Sequence, residues 1–508
     1  MFLVIDQGTT STKVVLFDIE GKKIDVSQKS FKQIFPENGW VEHNPKEIIE
    51  TVINCCNEII DRNPDKKISS LGITNQRETT VLWNKETGEP LYNAIVWQDR
   101  RTEETCKKLK ERDLEKKISE KTGLLLDPYF SSTKISWIIE NIEGIQDKIK
   151  NDQICAGTID SWIIWNLTNG ETFATDVTNA SRTNLYNIKS LEWDEDLLQI
   201  FKINKKILPE VRNSDAFYGE TKALVKKLPI YGVIGDQQSA AIGQFCFNEG
   251  DIKSTYGTGS FVLLNTGKNI VHSNNGILST IGYKIKDEIS YALEGSIFMA
   301  GAVVDWLKNN LQVFDNIKQM EVILRDTNIN PNVVLIPAFT GLGAPHWSPN
   351  SRASIFGLTR DTNKDEIIVS SIQAISLQTY DLLNLLNDDI SQHNIKPFNK
   401  IRIDGGMTEN QWFLQNLSDI CNITISKSYE KEATSLGAAI VSGIGSRNIK
   451  DLAEFESILS KSETFRPKME NKLRDKIISN WNSAIKQTVG MSFEKCWFYI
   501  CKNCRVIK

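Results

Sequence analysis

The stretch that most constrains this chain is its opening, Met1-Phe-Leu-Val-Ile-Asp-Gln-Gly-Thr-Thr-Ser-Thr-Lys13, where a short apolar run passes directly into an acid, a glycine and a row of hydroxyls. Phe2 to Ile5 have the length and β-branched content of a buried strand. Gly8 lets the backbone turn closely against a ligand, so the amides and hydroxyls of Gly8 to Thr12 can face an anion while Lys13 adds positive charge. Asp6, at the strand end, would repel a phosphate unless a cation stood between them, which assigns it to Mg²⁺ through water. The competing reading is a plain hairpin with a glycine turn, because Val14 to Asp18 and the following Ile19-Glu-Gly-Lys22 continue the strand pattern. A short Gly/Thr cluster does not by itself choose between the two.

The same grammar recurs along the chain. Ser69 to Thr74 reads as a strand that delivers Asn75-Gln-Arg-Glu-Thr79 at its end, and Ala94-Ile-Val-Trp97 ends in Gln98-Asp-Arg-Arg101. Ile230 to Gly235 ends in Asp236, Thr255-Tyr-Gly-Thr-Gly-Ser260 is a second glycine turn, and Ile401-Arg-Ile-Asp-Gly-Gly-Met407 is a third strand entering one. Polar clusters repeatedly placed at strand ends describe an α/β site. Between the strands, Asn44-Pro45 opens a helix with Ile48, Ile49, Val52, Ile53, Ile59 and Ile60 along one side. The polar break Asn248-Glu-Gly-Asp251 divides the chain into an N-terminal domain, 1–248, and a C-terminal domain, 249–508, which becomes helical and charged from about 445. No Gly-Lys-Ser/Thr phosphate loop occurs, so the glycine turns are not a Walker pattern.

Composition limits the function classes. With 40% hydrophobic and 24% charged residues, 508 residues can build two to four packed domains. A net charge of −4 argues against nucleic acid as the main partner. No run of about 18 uncharged apolar residues is present to span a bilayer, and Met1 to Ile5 is too short and lacks the basic start of a leader. Nine cysteines spread along the chain suit reduced thiols in a cytoplasmic protein. Cys496, Cys501 and Cys504 near the end have neither a fourth ligand nor a histidine beside them, so they read as a tail packed on a partner or poorly ordered rather than as a zinc site.

Tyr129-Phe-Ser-Ser-Thr-Lys134-Ile-Ser-Trp137-Ile-Ile-Glu-Asn141 resembles the first signature of the FGGY carbohydrate kinases. Ala353-Ser-Ile-Phe-Gly357-Leu with Glu366 to Gln373 resembles the second. Asn75 to Thr79, Ile95 to Asp99, Gly235 to Gln238, Thr255 to Gly259 and Pro337 to Pro345 are similar to the branch of that family that phosphorylates glycerol, and the likeness runs in order from Ile5 to about Trp481. It implies an α/β protein of two actin-like, ribonuclease H-like ATPase domains with an interdomain active-site cleft, using ATP and Mg²⁺ on glycerol, as a homodimer.

The resemblance makes Asp236 the general base for the attacking hydroxyl; on the residues alone, Asp236 reads as a cap of the helix that follows, a role it could fill at the same time. It assigns glycerol to Arg77, Glu78, Trp97, Tyr129, Asp236, Gln237 and Phe261, where the plain readings are a surface ion pair for Arg77-Glu78 and core roles for the aromatics. It gives the phosphates to Thr9, Thr10, Ser11, Lys13, Thr258 and Gly259, and the adenosine to Gly301, Gly406, Met407 and Asn410. Four departures stand out. Lys13 replaces the arginine common in the family, and Asp305 stands where some relatives carry glutamine. Lys222-Ala-Leu-Val-Lys-Lys-Leu228 lacks the glycine-rich, arginine-bearing loop by which some members bind fructose 1,6-bisphosphate, and the histidine that some phosphorylate is absent as well. A pentulose or polyol kinase of the same family, or an actin-like ATP switch without phosphoryl transfer, are the alternatives.

Overall fold

The computed structural model describes residues 1–346, 348, 350–428, 431–459 and 462–490; the tail cysteines lie outside these. Its frame is two sheets wired alike. In the first, Phe2–Gln7, Ser11–Phe17 and Lys23–Ser30 form an antiparallel meander, Ser70–Asn75 pairs parallel with Phe2–Gln7, and Pro229–Gly235 pairs parallel with Ser70–Asn75. In the second, Ile252–Tyr256, Ser260–Gly267, Glu288–Ile297 and Leu278–Ile285 lie antiparallel in that spatial order, the last two out of sequence order, with Lys400–Asp404 and Thr424–Ser428 added in parallel on the Ile252–Tyr256 side. Parallel neighbours need crossovers, and in each sheet a helix within one crossover covers the strands. Pro45–Arg62 does this in the first sheet, capped by Asn44 with Pro at its first position, and the 28-residue Lys364–Ser391 in the second. The expected apolar side of the first helix is buried through Ile48, Ile49, Val52, Ile59 and Ile60, against Leu3, Ile5, Val14 and Leu16.

Register explains why the polar clusters meet. Gln7 pairs with Asn75 and Gly235 pairs with Asn75 on its other side, so the turn after Gln7, the segment after Asn75 and Asp236 leave the sheet side by side. In the second sheet Thr255 lies between Phe261 and Asp404, which aligns the Gly257–Gly259 turn with Gly405 and Gly406. Side chains from the Glu288–Ile297 strand reach residues of the first half directly, so the two sheet edges enclose one cleft.

The far face of the first sheet is covered by Asp236–Gly243 and by Ala433–Gly445, a helix contributed from beyond the second sheet's Thr424–Ser428 strand. The two helices cross with little between them: a Cβ on Gly243 would stand 1.8 Å from the Ala433 carbonyl oxygen, and one on Gly437 1.8 Å from that of Ser239. The tail expected to be helical holds Leu452–Leu459 and Asn471–Gly490, but Ser462–Phe465 is a strand that edges the second sheet against Thr424–Ser428. Its alternating exposure, with Glu463 and Phe465 turned inward, is the period-2 signal that a reading of charge alone passes over. No helix among the described residues is long and apolar enough to cross a membrane.

Candidate active site

The turn after the first strand is held from beneath by a buried polar network. Gln33 Nε2 donates to the Thr9 carbonyl (2.9 Å) and Gln76 Nε2 to the Gly8 carbonyl (3.2 Å), with the His43 ring joining Gln33 Oε1 (2.8 Å) and Gln76 (3.4 Å). Burial pushes the His43 pKa down to about 4, so the ring is neutral and can serve as a fixed strut. Thr9 Oγ1 accepts from Trp97 Nε1 (2.9 Å), while Thr10 is exposed and Ser11 Oγ accepts from Gln28. Asp6 and Lys13 are cross-strand partners. Burial raises the Asp6 pKa against the pull of Lys13, and Ser435 Oγ donates to its carboxylate (3.0 Å). The Lys13 ammonium rests on Glu432 Oε2 at 2.8 Å, so the charge expected over the phosphate turn is shared with a carboxylate just ahead of the Ala433–Gly445 helix.

On the substrate side, Arg77 and Glu78 are 2% and 1% exposed, which removes the surface-ion-pair reading. Arg77 Nε meets Asp236 Oδ1 at 3.1 Å. Glu78 has a left-handed backbone, φ 61°, uncommon for a residue with a Cβ. Its carbonyl is gripped by Ser131 Oγ (3.0 Å), Thr80 Oγ1 (3.1 Å) and Lys134 Nζ (3.4 Å), and these three donors hold the strained turn in place. Lys134 also donates to the Tyr129 carbonyl, so a residue of the first signature braces two predicted substrate contacts at once. Trp97 stands edge-on to Tyr129 (5.6 Å between centroids) and to Phe261 (6.3 Å), and the predicted aromatics form one wall drawn from both halves of the chain.

Asp236 opens the Asp236–Gly243 helix, its carboxylate accepting from the Gln237 amide (2.7 Å) and its side chain 31% exposed. Burial lifts its pKa to about 6, with Arg77 pulling down, Glu78 pushing up and Lys253 pulling down. A carboxylate with that pKa is ionised at neutral pH and basic enough to take a proton from a hydroxyl that is losing its electrons to phosphorus. Gln237 Oε1 accepts from Lys253 Nζ (2.5 Å).

Across the cleft, the Gly257–Gly259 turn docks on the start of the Gly301–Asp305 helix: Gly301 N donates to the Gly257 carbonyl (2.9 Å), and Ala300 N and Ala302 N to that of Thr258 (2.9 and 3.1 Å). Thr258 is exposed and Gly259 half-buried. Gly405, at φ 96°, lies against the Tyr256 backbone, while the space over Gly406 is open and Met407 is half-buried beside it. Asn410 caps the next helix through Oδ1, accepting from Phe413 N, but its buried Nδ2 has no partner, a donor left for a ligand. Asp305 is exposed.

Four residues of this constellation were not legible beforehand: Glu294, Arg182, Gln238 and Lys253. Glu294 accepts from Arg77 Nη1 (2.5 Å) and Nη2 (3.1 Å) and from Arg182 Nη2 (2.8 Å), Arg182 Nε donates to Glu78 Oε1 (2.6 Å), and Gln238 Oε1 accepts from Arg77 Nη1 (3.3 Å). The one signal in the sequence is a carboxylate inside the apolar run Tyr291-Ala-Leu-Glu294 of a strand, a residue type that is buried only when paired.

Residues 1–243 match the N-terminal domain, and residues 252–446 the C-terminal domain, of the FGGY family of carbohydrate kinases. The chain is 46% identical over 491 residues to a glycerol kinase of Rhizobium meliloti, covering 96% of this chain and 98% of that one. It is 44% identical over 493 residues to a glycerol kinase of Coxiella burnetii, covering 96% and 97%. Among solved structures, Plasmodium falciparum glycerol kinase with ADP superposes with a TM-score of 0.91 at 41% identity, covering 96% and 98%. A ligand-bound xylulose kinase from Lactobacillus acidophilus superposes with a TM-score of 0.86 over 97% of this chain and 100% of that one, at 23% identity, a likeness of fold alone.

Proposed function

The chain belongs to the FGGY family of carbohydrate kinases, and from that membership and the cleft we propose that it transfers the terminal phosphoryl group of ATP to glycerol, yielding sn-glycerol 3-phosphate and ADP. The observation that carries the reading is Asp236, a part-exposed carboxylate with a pKa near 6, set beside the Arg77 and Glu78 pair and the Trp97, Tyr129 and Phe261 wall. A three-carbon triol needs neighbouring donors and acceptors for adjacent hydroxyls and an apolar surface for its carbons, and those groups are supplied here.

Phosphoryl transfer has a loose transition state, so the protein's work is alignment, charge neutralisation and exclusion of water. Arg77 and Glu78 orient the hydroxyls, Gln237 adds a contact, and Asp236 receives the proton of the attacking hydroxyl. Thr9, Thr10, Ser11 and Lys13 on one side and Thr258 and Gly259 on the other are assigned to the phosphates, and Gly301, Gly406, Met407 and Asn410 to the adenosine. Asp6 fits a cation: its buried carboxylate has a raised pKa and keeps acceptor capacity beyond its bond from Ser435. Mg²⁺ held there through water would neutralise charge on the nucleotide phosphates. The reading extends to a cytoplasmic homodimer with the chain divided near residue 248.

The test is a coupled assay with an enantiospecific glycerol-3-phosphate dehydrogenase: the purified protein with ATP, Mg²⁺ and glycerol should form glycerol 3-phosphate and ADP one for one. ADP without glycerol 3-phosphate would contradict the reading.

A further inference from the structure

Glu294 belongs to none of the roles above, yet it is 1% exposed and touches Arg77, a residue assigned to glycerol, from the other side of the cleft. It lies on the Glu288–Ile297 strand of the second sheet, whereas Arg77, Glu78 and Arg182 come from the first half of the chain. Its two oxygens take both terminal nitrogens of Arg77, the fork geometry that fixes a guanidinium plane, and Oε1 also takes Arg182 Nη2. Arg77 Nη1 also reaches Gln238 and Nε reaches Asp236, so Glu294 completes the orientation of the guanidinium from across the cleft and one N–H on Nη2 is left for a substrate. Arg182 in turn holds Glu78 by Nε and keeps a buried Nη1 without a partner. One carboxylate of the second domain thus orients both halves of the Arg77 and Glu78 pair.

Stability alone does not explain such a knot. Buried ion pairs gain little over well-packed apolar residues of similar volume, because two charges must be taken out of water. The arrangement is accounted for if the charges serve the site. Resting on the glycerol reading, we propose that Glu294 is a positioning residue: from the second domain it fixes Arg77 and, through Arg182, Glu78, and so aims the glycerol contacts.

The charges around Asp236 make this testable. Asp236 is faced by Arg77, Glu78 and Lys253, and Glu294 by Arg182, Arg77 and Lys253, with Asp404 beside Lys253. Burial pushes the Glu294 carboxyl up, but Arg182 and Arg77 outweigh it and hold the pKa at about 2, so Glu294 is charged throughout the working range. Glu294→Gln is nearly isosteric and leaves Arg77, which meets Asp236, less neutralised. The Asp236 pKa should then fall and the acid limb of the kcat profile should move to lower pH. The KM for glycerol should rise by about ten- to a hundredfold, the scale of a charged hydrogen bond, with the KM for ATP little changed. Glu294→Asp keeps the charge but shortens the reach: the limb should stay in place while the glycerol KM rises.

ADP binding by both variants, measured first, shows that each has folded. Should Glu294→Gln not fold, Glu294→Asp decides, and an unchanged glycerol KM there overturns the proposal; failure of both to bind ADP would make the residue structural and overturn it too. A wild-type glycerol KM and an unmoved limb in a folded Glu294→Gln overturn the proposal while leaving the glycerol assignment standing. A wild-type protein that ignores glycerol removes the assignment itself.

Discussion

Asp236, the proposed base, sits in a place that disfavours its charge. Its raised pKa is the record of that conflict, and it has two measurable consequences. Asp236→Asn should lower glycerol-dependent turnover by about 10²–10⁴-fold while glycerol binding, followed by calorimetry, is retained; in the wild type kcat should rise with pH through a limb near 6. The stability consequence has a definite sign. A carboxylate whose folded pKa lies above its unfolded value contributes fully below the unfolded pKa and loses that contribution as pH rises through the folded one. Asp236→Asn should therefore melt above the wild type at pH 8, with the gain disappearing near pH 4; a lower melting temperature at pH 8 would mean that the pair with Arg77 outweighs burial. Asp236, Arg77 and Glu78 were singled out in the sequence by the family resemblance, at polar clusters that follow two strands: Asp236 comes next after Gly235, and Arg77 and Glu78 come two and three residues after Asn75. Glu294 and Lys253 lie within strands and Arg182 in a loop, and their partners are far away in sequence: 217 residues separate Arg77 from Glu294. Pattern carries no information about such pairings.

At the scale of elements, the crossing of Asp236–Gly243 with Ala433–Gly445 is the tightest packing that bears on the cleft, since the first helix carries Asp236 and the second lies beside Asp6 through Ser435. Gly437→Ala would place a methyl group 1.8 Å from the Ser239 carbonyl oxygen, so the helices must part. We expect a loss of about 1–3 kcal/mol in chemical denaturation, together with a lower kcat because Asp236 moves with its helix. Unchanged stability would show that the crossing is looser than described. The sequence displayed the helix that follows Asp236, and it displayed the strands with their polar ends. It did not display that the later helix covers the earlier sheet, because nothing local distinguishes one apolar face as a partner for another. The edge strand Ser462–Phe465 was missed for a related reason: four residues give too short a period-2 pattern to stand out among charges.

At the scale of the molecule, two sheets of like wiring face each other across a cleft, and the groups assigned to the two substrates are divided between them. Family and architecture were legible in the sequence because signatures and strand-end motifs recur in order along nearly all of the chain. The segment proposed to lack the fructose 1,6-bisphosphate loop is a closed turn, Thr221 N bonded to the Leu228 carbonyl and Lys227 paired with Glu220. Millimolar fructose 1,6-bisphosphate should accordingly leave the rate unchanged, and inhibition in a steady-state assay would refute this.

The most direct test of the central claim is ADP release from ATP and Mg²⁺ by the purified protein, compared without acceptor and with glycerol, erythritol, ribulose and xylulose. Glycerol should stimulate release far above the others. Preference for a pentulose would contradict the pocket assignment, and turnover indifferent to every acceptor would contradict phosphoryl transfer to glycerol altogether.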